Sequence, residues 1–174
     1  MSGDAAAERC PGCGFRGAGE GPVHAYMPSS PACWRAFGLL QADELSRFVY
    51  PPAHGIVVDA YAASHGGDGS ERRDRQSVAI HLIAICAVLE QGMRAEPRIA
   101  LLRELGNRKL DWPALPRPAG FPALDHSSVA GADDLDDYDA RARAWAQAVW
   151  DWWEPQHERV HEWLASPPGR AGAG

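Results

Sequence analysis

The chain has 174 residues, of which 45% are hydrophobic and 23% charged, and its formal net charge is −6 at pH 7. These values fit one globular domain and exclude collagen-like, disordered and membrane-embedded classes. A chain of this length buries roughly 70% of its unfolded surface, so its core does not need disulfides or metals merely to exist, and its acidic balance argues against nucleic-acid backbones and anionic membranes as partners.

Residues 1–9 contain Asp4 and Glu8 and no hydrophobic segment, so they read as a disordered N-terminus and not as a secretory signal. No later run approaches the roughly 18 apolar residues that a membrane span needs. A reducing cytoplasmic location is expected, where cysteines serve as metal ligands, catalytic groups or packing residues. Residues 10–30 are rich in Gly and Pro without periodicity and predict irregular loop. Ser30 and Pro31 start a helix over 31–41, since Ser caps free amides and Pro fits the first turn. Trp34 and Phe37 are its buried positions, with a short continuation through Leu45 and Phe48. Pro51 and Pro52 open a second helix through Ile56, Val57, Val58 and Tyr61, which should stop at a left-handed cap at Gly66 and Gly67.

Asp68 and Glu71 have the spacing of a capping box for a third helix over about 70–90. Between Val78 and Leu89 that helix is apolar nearly all round, which places it at the centre of the fold, with His81 as its polar intrusion. Arg72, Arg73 and Arg75 read as a solvated surface. A fourth helix covers 96–105 and stops at Gly106; four prolines within 112–122 then impose an extended connection anchored by Trp112 and Phe121. The last helix begins at Asp133 or Asp134, with Asp136 and Asp137 complementing its dipole. Tyr138, Ala142, Trp145, Val149, Trp152, Gln156, Val160 and Trp163 form one stripe, kinked near Trp152 by Pro155. The tryptophans there read as core, with Trp150 and Trp153 as surface exceptions. The expected fold is all-α: about five helices in one domain over 10–165, an irregular zinc-binding cap at 10–33, and a disordered tail at 166–174.

The sharpest chemical signal is Cys10-Pro11-Gly12-Cys13-Gly14. Two thiolates bracketing two residues can reach one Zn²⁺, and the glycines permit the tight turn. A closed tetrahedral centre needs two more donors. If the first two helices form an antiparallel hairpin turning near Tyr50, Cys33 lies level with His65, giving a Cys3His set of Cys10, Cys13, Cys33 and His65. His24, in the intervening loop, can substitute for either of the last two. A redox dithiol is the alternative for the Cys pair, but it lacks the strand-to-helix setting. Cys86 sits in an apolar run and reads as an inert packing residue.

A second grouping arises if the next hairpin turns near Asp68, which brings His81 level with His54 and leaves Asp59 and Tyr61 close by. His54, Tyr61, Asp59 and His81 are therefore the candidates for proton transfer or a catalytic metal. The plainer reading, which is favoured, makes His81 a satisfied buried hydrogen-bonder and His54 an exposed helix start. Phosphate-binding glycine loops, nucleophile elbows and His-Glu-x-x-His patterns are missing.

Cys10–Gly14, Gly21-Pro22-Val23-His24, Ser30–Trp34, Val58–Tyr61 with His65, Gln76–Leu82 and Trp145–Trp150 occur in an order that resembles a family of small bacterial proteins carrying a domain of unknown function. The resemblance spans roughly residues 10–165 and brings no established activity. It implies that the Cys and His positions belong to one shared arrangement. The functional expectation is a small cytoplasmic zinc-binding protein with a mainly structural metal site and a binding or accessory role towards a protein or small-molecule partner. The alternative is a metal-dependent hydrolase or biosynthetic enzyme in which His65, His81 and Asp59 act at or near an open metal.

Overall fold

A computed structural model describes residues 7–170. The protein is mostly helical. Strands β1 (Glu8–Arg9) and β2 (Arg16–Gly17) form a small antiparallel hairpin, and helices α1 (Pro31–Phe48), α2 (His54–Ser64), α3 (Arg72–Leu89), α4 (Ala95–Asn107), α5 (Leu135–Trp152) and α6 (His157–Ala165) follow. Of the ends expected to be disordered, residues 1–6 and 171–174 lie outside the described residues, Glu8–Arg9 is β1, and Arg170 forms a bridge with Leu110.

Helix α3 is the central element, packed against α2, α4, α5 and α6, with Leu82 to Val88 buried without interruption. Ser30 caps α1 as its sequence predicts, its Oγ accepting from the Cys33 amide at 3.2 Å. The helix runs unbroken to Phe48, joining the expected 31–41 to its expected continuation, with Leu40 and Glu44 buried on its inner face. It ends with Val49 and Tyr50 both in the left-handed region, at φ 50° and 58°.

Three local expectations are corrected. Helix α2 ends at His65, and the left-handed glycine of the following loop is Gly69 (φ 74°) rather than Gly66 or Gly67. The capping box of Asp68 and Glu71 does not form: buried Asp74, in the first turn of α3, reaches back to accept from the amides of Gly67 and Gly69 at 2.6 and 2.7 Å. Helix α4 passes through Gly106 to Asn107.

The final helix is broken rather than kinked. Residues Glu154–Gln156 form a short 3-10 turn ahead of α6, which raises the helix number to six. Trp150 and Trp153, expected at the surface, are 2% and 1% exposed, while Trp152 is half-buried. Trp153 donates to the Ala63 carbonyl at 3.1 Å and Trp150 to Glu90 Oε1 at 2.9 Å, so each indole N–H has a partner inside the fold.

The proline-rich segment runs extended along one side. Trp112 is buried there, its carbonyl accepts from Arg75 Nε at 2.9 Å, and Trp152 donates to the Ala119 carbonyl at 3.0 Å. Arg75 is thus engaged in packing, whereas Arg72 and Arg73 are exposed as expected. Among the described residues, no helix is long and apolar enough to cross a membrane.

Candidate metal centre

Three elements deliver four donors to one point. The turn between β1 and β2 supplies Cys10 and Cys13, the first turn of α1 supplies Cys33, and the residue closing α2 supplies His65. All four are buried, with exposures of 0%, 3%, 0% and 0%.

The turn is built for the task. The Cys10 amide donates to the Phe15 carbonyl at 2.8 Å and the Gly14 amide to the Cys10 carbonyl at 3.0 Å, with Gly14 at φ 81°. Gly12 lies against the His65 ring, and a Cβ there would overlap that ring and sit 2.6 Å from the Pro28 carbonyl oxygen. Only glycine lets the turn and the imidazole approach this closely. Ser30 joins the parts: its side chain caps α1 at Cys33, and its amide donates to Cys10 Sγ at 3.4 Å. Cys33 also lies at the positive end of the α1 dipole, which favours a thiolate.

The donor spacing tests the fit to a metal. A tetrahedral zinc centre, with Zn–S of about 2.3 Å and Zn–N of about 2.0 Å, has edges of about 3.8 Å between sulfurs and about 3.5 Å between sulfur and nitrogen. Cys13 Sγ and Cys33 Sγ are 3.7 Å apart, and His65 Nε2 is 3.4 Å from Cys10 Sγ and 3.3 Å from Cys33 Sγ. All four donor atoms lie within 4.8 Å of one another. A disulfide, with its bond of about 2.05 Å, is excluded at these separations, and all the cysteines are free. On the far side of the imidazole, His65 Nδ1 lies 2.7 Å from the Tyr61 carbonyl. An N–H donated there leaves the Nε2 lone pair facing the sulfurs, the usual outer-shell arrangement of a metal-ligating histidine.

The electrostatics point the same way. Hydrogen bonds from Cys13 and Cys33 draw the Cys10 thiol far below its ordinary value, while the bond to Cys10 pushes Cys13 far up and Cys33 up to about 12. Three buried sulfurs at this distance cannot all carry negative charge unless a cation lies among them. The Cys10/Cys13/Cys33/His65 group thus has the donor types, spacing and burial to hold a metal ion such as zinc.

His24 stands outside the group. Its Nδ1 accepts from the amides of Met27 and Tyr26 at 3.1 and 3.4 Å, and its ring meets Trp34 edge-on, so it orders the loop before α1. The His/Asp/Tyr grouping divides into three. His54 pairs with buried Glu44 at 3.0 Å. Asp59 takes His81 Nδ1 at 2.7 Å and Arg98 Nε at 2.6 Å on its two oxygens. Tyr61 turns to the cysteine cluster, its hydroxyl 3.7 Å from Cys33 Sγ and its ring stacked on His65 and Phe37. Residues 59 and 61 are separated by about 200° around a helix and cannot face one site.

Sequence reasoning missed His126. It is 2% exposed, with Nδ1 4.0 Å from Cys33 Sγ and its ring 4.6 Å from that of Phe15; Nε2 has no hydrogen-bond partner. The available signal was Asp125, whose side chain accepts from the Ser127 amide at 2.8 Å and fixes the 3-10 turn that carries His126 inward. Arg117 was also missed; it donates to the Gly12 carbonyl and ties the proline-rich segment to the cysteine turn.

Cavities lie elsewhere. One of about 700 Å³ is lined by residues of the α1–α2 and α3–α4 connections and by Arg98, Asp139 and Arg143. Another of about 690 Å³ lies over residues 23–29 and Gly66 to Asp68. None of the four donors lines either.

No curated protein and no solved structure matches the chain. The ordered motifs nevertheless have a shared home: over residues 8–154 the chain matches, and belongs to, a family of unknown function, DUF5946.

Proposed function

We propose that this is a zinc-binding protein whose Cys10, Cys13, Cys33 and His65 form a closed structural site, fastening the N-terminal cap to the bundle in a protein with a binding or accessory role. The observation that carries this reading is the set of four buried protein donors at tetrahedral spacing, which fills the coordination sphere and leaves no position for water or substrate. Three sulfurs and one imidazole favour zinc over magnesium or calcium, which take oxygen ligands. Three thiolate ligands require a reducing setting, which the cytoplasm supplies. The partner would be a protein or small molecule that the cap or one of the cavities receives.

The test is metal content together with X-ray absorption on the purified full-length chain. About one zinc per chain, three sulfur and one nitrogen neighbours, and a large fall in melting temperature on chelation are expected, because binding and folding are linked. A metal-free protein that melts with the loaded one would refute the reading, as would a light scatterer replacing one of the four donors.

A metal-dependent enzyme is the second reading, and His126 is the observation that favours it. A buried imidazole with Nδ1 4.0 Å from Cys33 Sγ and an unpartnered Nε2 could handle a proton if one ligand left the metal. An absorption spectrum with three protein donors and one oxygen would select this reading.

A further inference from the structure

The residue expected to be inert packing, Cys86, is buried in the core but also has a polar neighbour. Its Sγ is 3.7 Å from Oε2 of Glu90, the residue that closes α3, and the same oxygen is 2.7 Å from His161 Nε2 on α6. One sulfur, one oxygen and one nitrogen donor from two packed helices therefore lie within 4.8 Å of one another. Glu90 is oriented from behind, since its other oxygen, Oε1, accepts from Trp150 Nε1 at 2.9 Å. That bond reserves Oε2 for the shared point, as outer-shell partners do for metal-bound carboxylates. His157, one turn before His161, is held apart: it stacks on Trp150 at 3.7 Å and its Nε2 lies 2.8 Å from the Trp150 carbonyl.

We propose that Cys86, Glu90 and His161 form a second metal site, reached from solvent, for a borderline-soft divalent cation such as Zn²⁺ or Co²⁺. The mixture of thiolate, imidazole and carboxylate selects this class of ion over Mg²⁺ or Ca²⁺. The 3.7 Å from sulfur to oxygen is close to the tetrahedral edge of about 3.5 Å, whereas the 2.7 Å from oxygen to nitrogen must open by about half an ångström. His161 can supply that movement, because its side chain is 48% exposed and held by a hydrogen bond to Glu90. Cys86 Sγ, in contrast, is fixed in a fully buried residue. Three protein donors leave one position for water, unlike the closed centre at Cys10. Binding displaces the Cys86 proton to solvent, so uptake weakens as pH falls. One donor, His161, lies beyond the residues matched by the family. The site stands independently of the role proposed for the first centre.

The test is Co²⁺ titration of the full-length protein carrying one equivalent of zinc, read by absorbance, with zinc measured in parallel to report on the first centre. One further equivalent of Co²⁺ with a sulfur-to-cobalt charge-transfer band is expected. His161→Ala, at an exposed position that the fold tolerates, should weaken uptake at least tenfold, and Cys86→Ala should abolish the band while the zinc content stays unchanged. The proposal is overturned if no further equivalent binds, if the bound Co²⁺ shows no sulfur band, or if His161→Ala takes up cobalt as the parent does.

Discussion

Replacing Asp59 separates a structural role from a catalytic one. The carboxylate is fully buried and holds two groups at once, His81 Nδ1 at 2.7 Å and Arg98 Nε at 2.6 Å. Arg98 is itself nearly covered, with an 8% exposed side chain, and it also donates to the Gly55 carbonyl at 2.7 Å. Asp59→Ala leaves a guanidinium buried without its counter-charge. Removing one partner of a buried pair costs about 3–5 kcal/mol, and at about 2–4 °C per kcal/mol for a chain of this size the melting temperature should fall by about 6–20 °C. His81 adds little to the loss, because its side chain is 17% exposed and can turn to water. The double replacement Asp59→Leu with Arg98→Met removes both charges and should recover most of the stability, since apolar substitutes of similar volume often equal a buried pair. Urea denaturation and thermal melting measure both, and metal content should be unchanged throughout because the four donors lie elsewhere. A single variant within about 1 kcal/mol of the parent, or a double variant no better than the single, would refute the argument.

Gly12→Ala should lose most of its bound metal at equal protein recovery, as elemental analysis would show, because the added methyl overlaps the His65 ring. Val49→Gly should stabilise the chain by about 0.5–1 kcal/mol in urea melts: it relieves about 1–2 kcal/mol of left-handed strain at φ 50°, offset in part by the entropy of glycine. Burial pushes His126 down to about 4 from the ordinary 6.5. Between those values the unfolded chain binds the extra proton, so this group lowers stability as pH falls from about 6.5 to about 4. Under metal-free conditions His126→Phe should flatten that part of the pH–stability curve, and an unchanged slope would count against a neutral buried imidazole.

The meeting of Cys10, Cys13, Cys33 and His65 is readable in the sequence because it depends on short-range rules. A Cys-Pro-Gly-Cys-Gly turn fixes one pair of sulfurs, a Ser-Pro start places Cys33 in a first turn, and an antiparallel hairpin sets it level with the end of the next helix. The second grouping fails on direction. Matching His54, Asp59, Tyr61 and His81 by height along their helices ignores the angle around each axis, which sends Tyr61 to the sulfurs and Asp59 to α4. Long-range partners also escape. Nothing local marks Arg98 as the mate of Asp59, 39 residues away, or His126 as a neighbour of Cys33, 93 residues away. The tryptophan stripe holds at Tyr138, Ala142, Trp145 and Val149 and again at Val160 and Trp163, and departs at half-buried Trp152 and Gln156, which flank the short turn at Pro155.

The order of the donors along the chain bears on how the protein is made. All three sulfurs lie within the first 33 residues, and the imidazole follows 32 residues after the last of them. At synthesis rates of about 5–20 residues per second, a growing chain exposes three thiols for about two to six seconds before His65 is added. For that interval the nascent cap is an incomplete chelator, open to whichever thiol-seeking ion or oxidant reaches it first, and completion of α2 supplies the fourth donor that ends the competition.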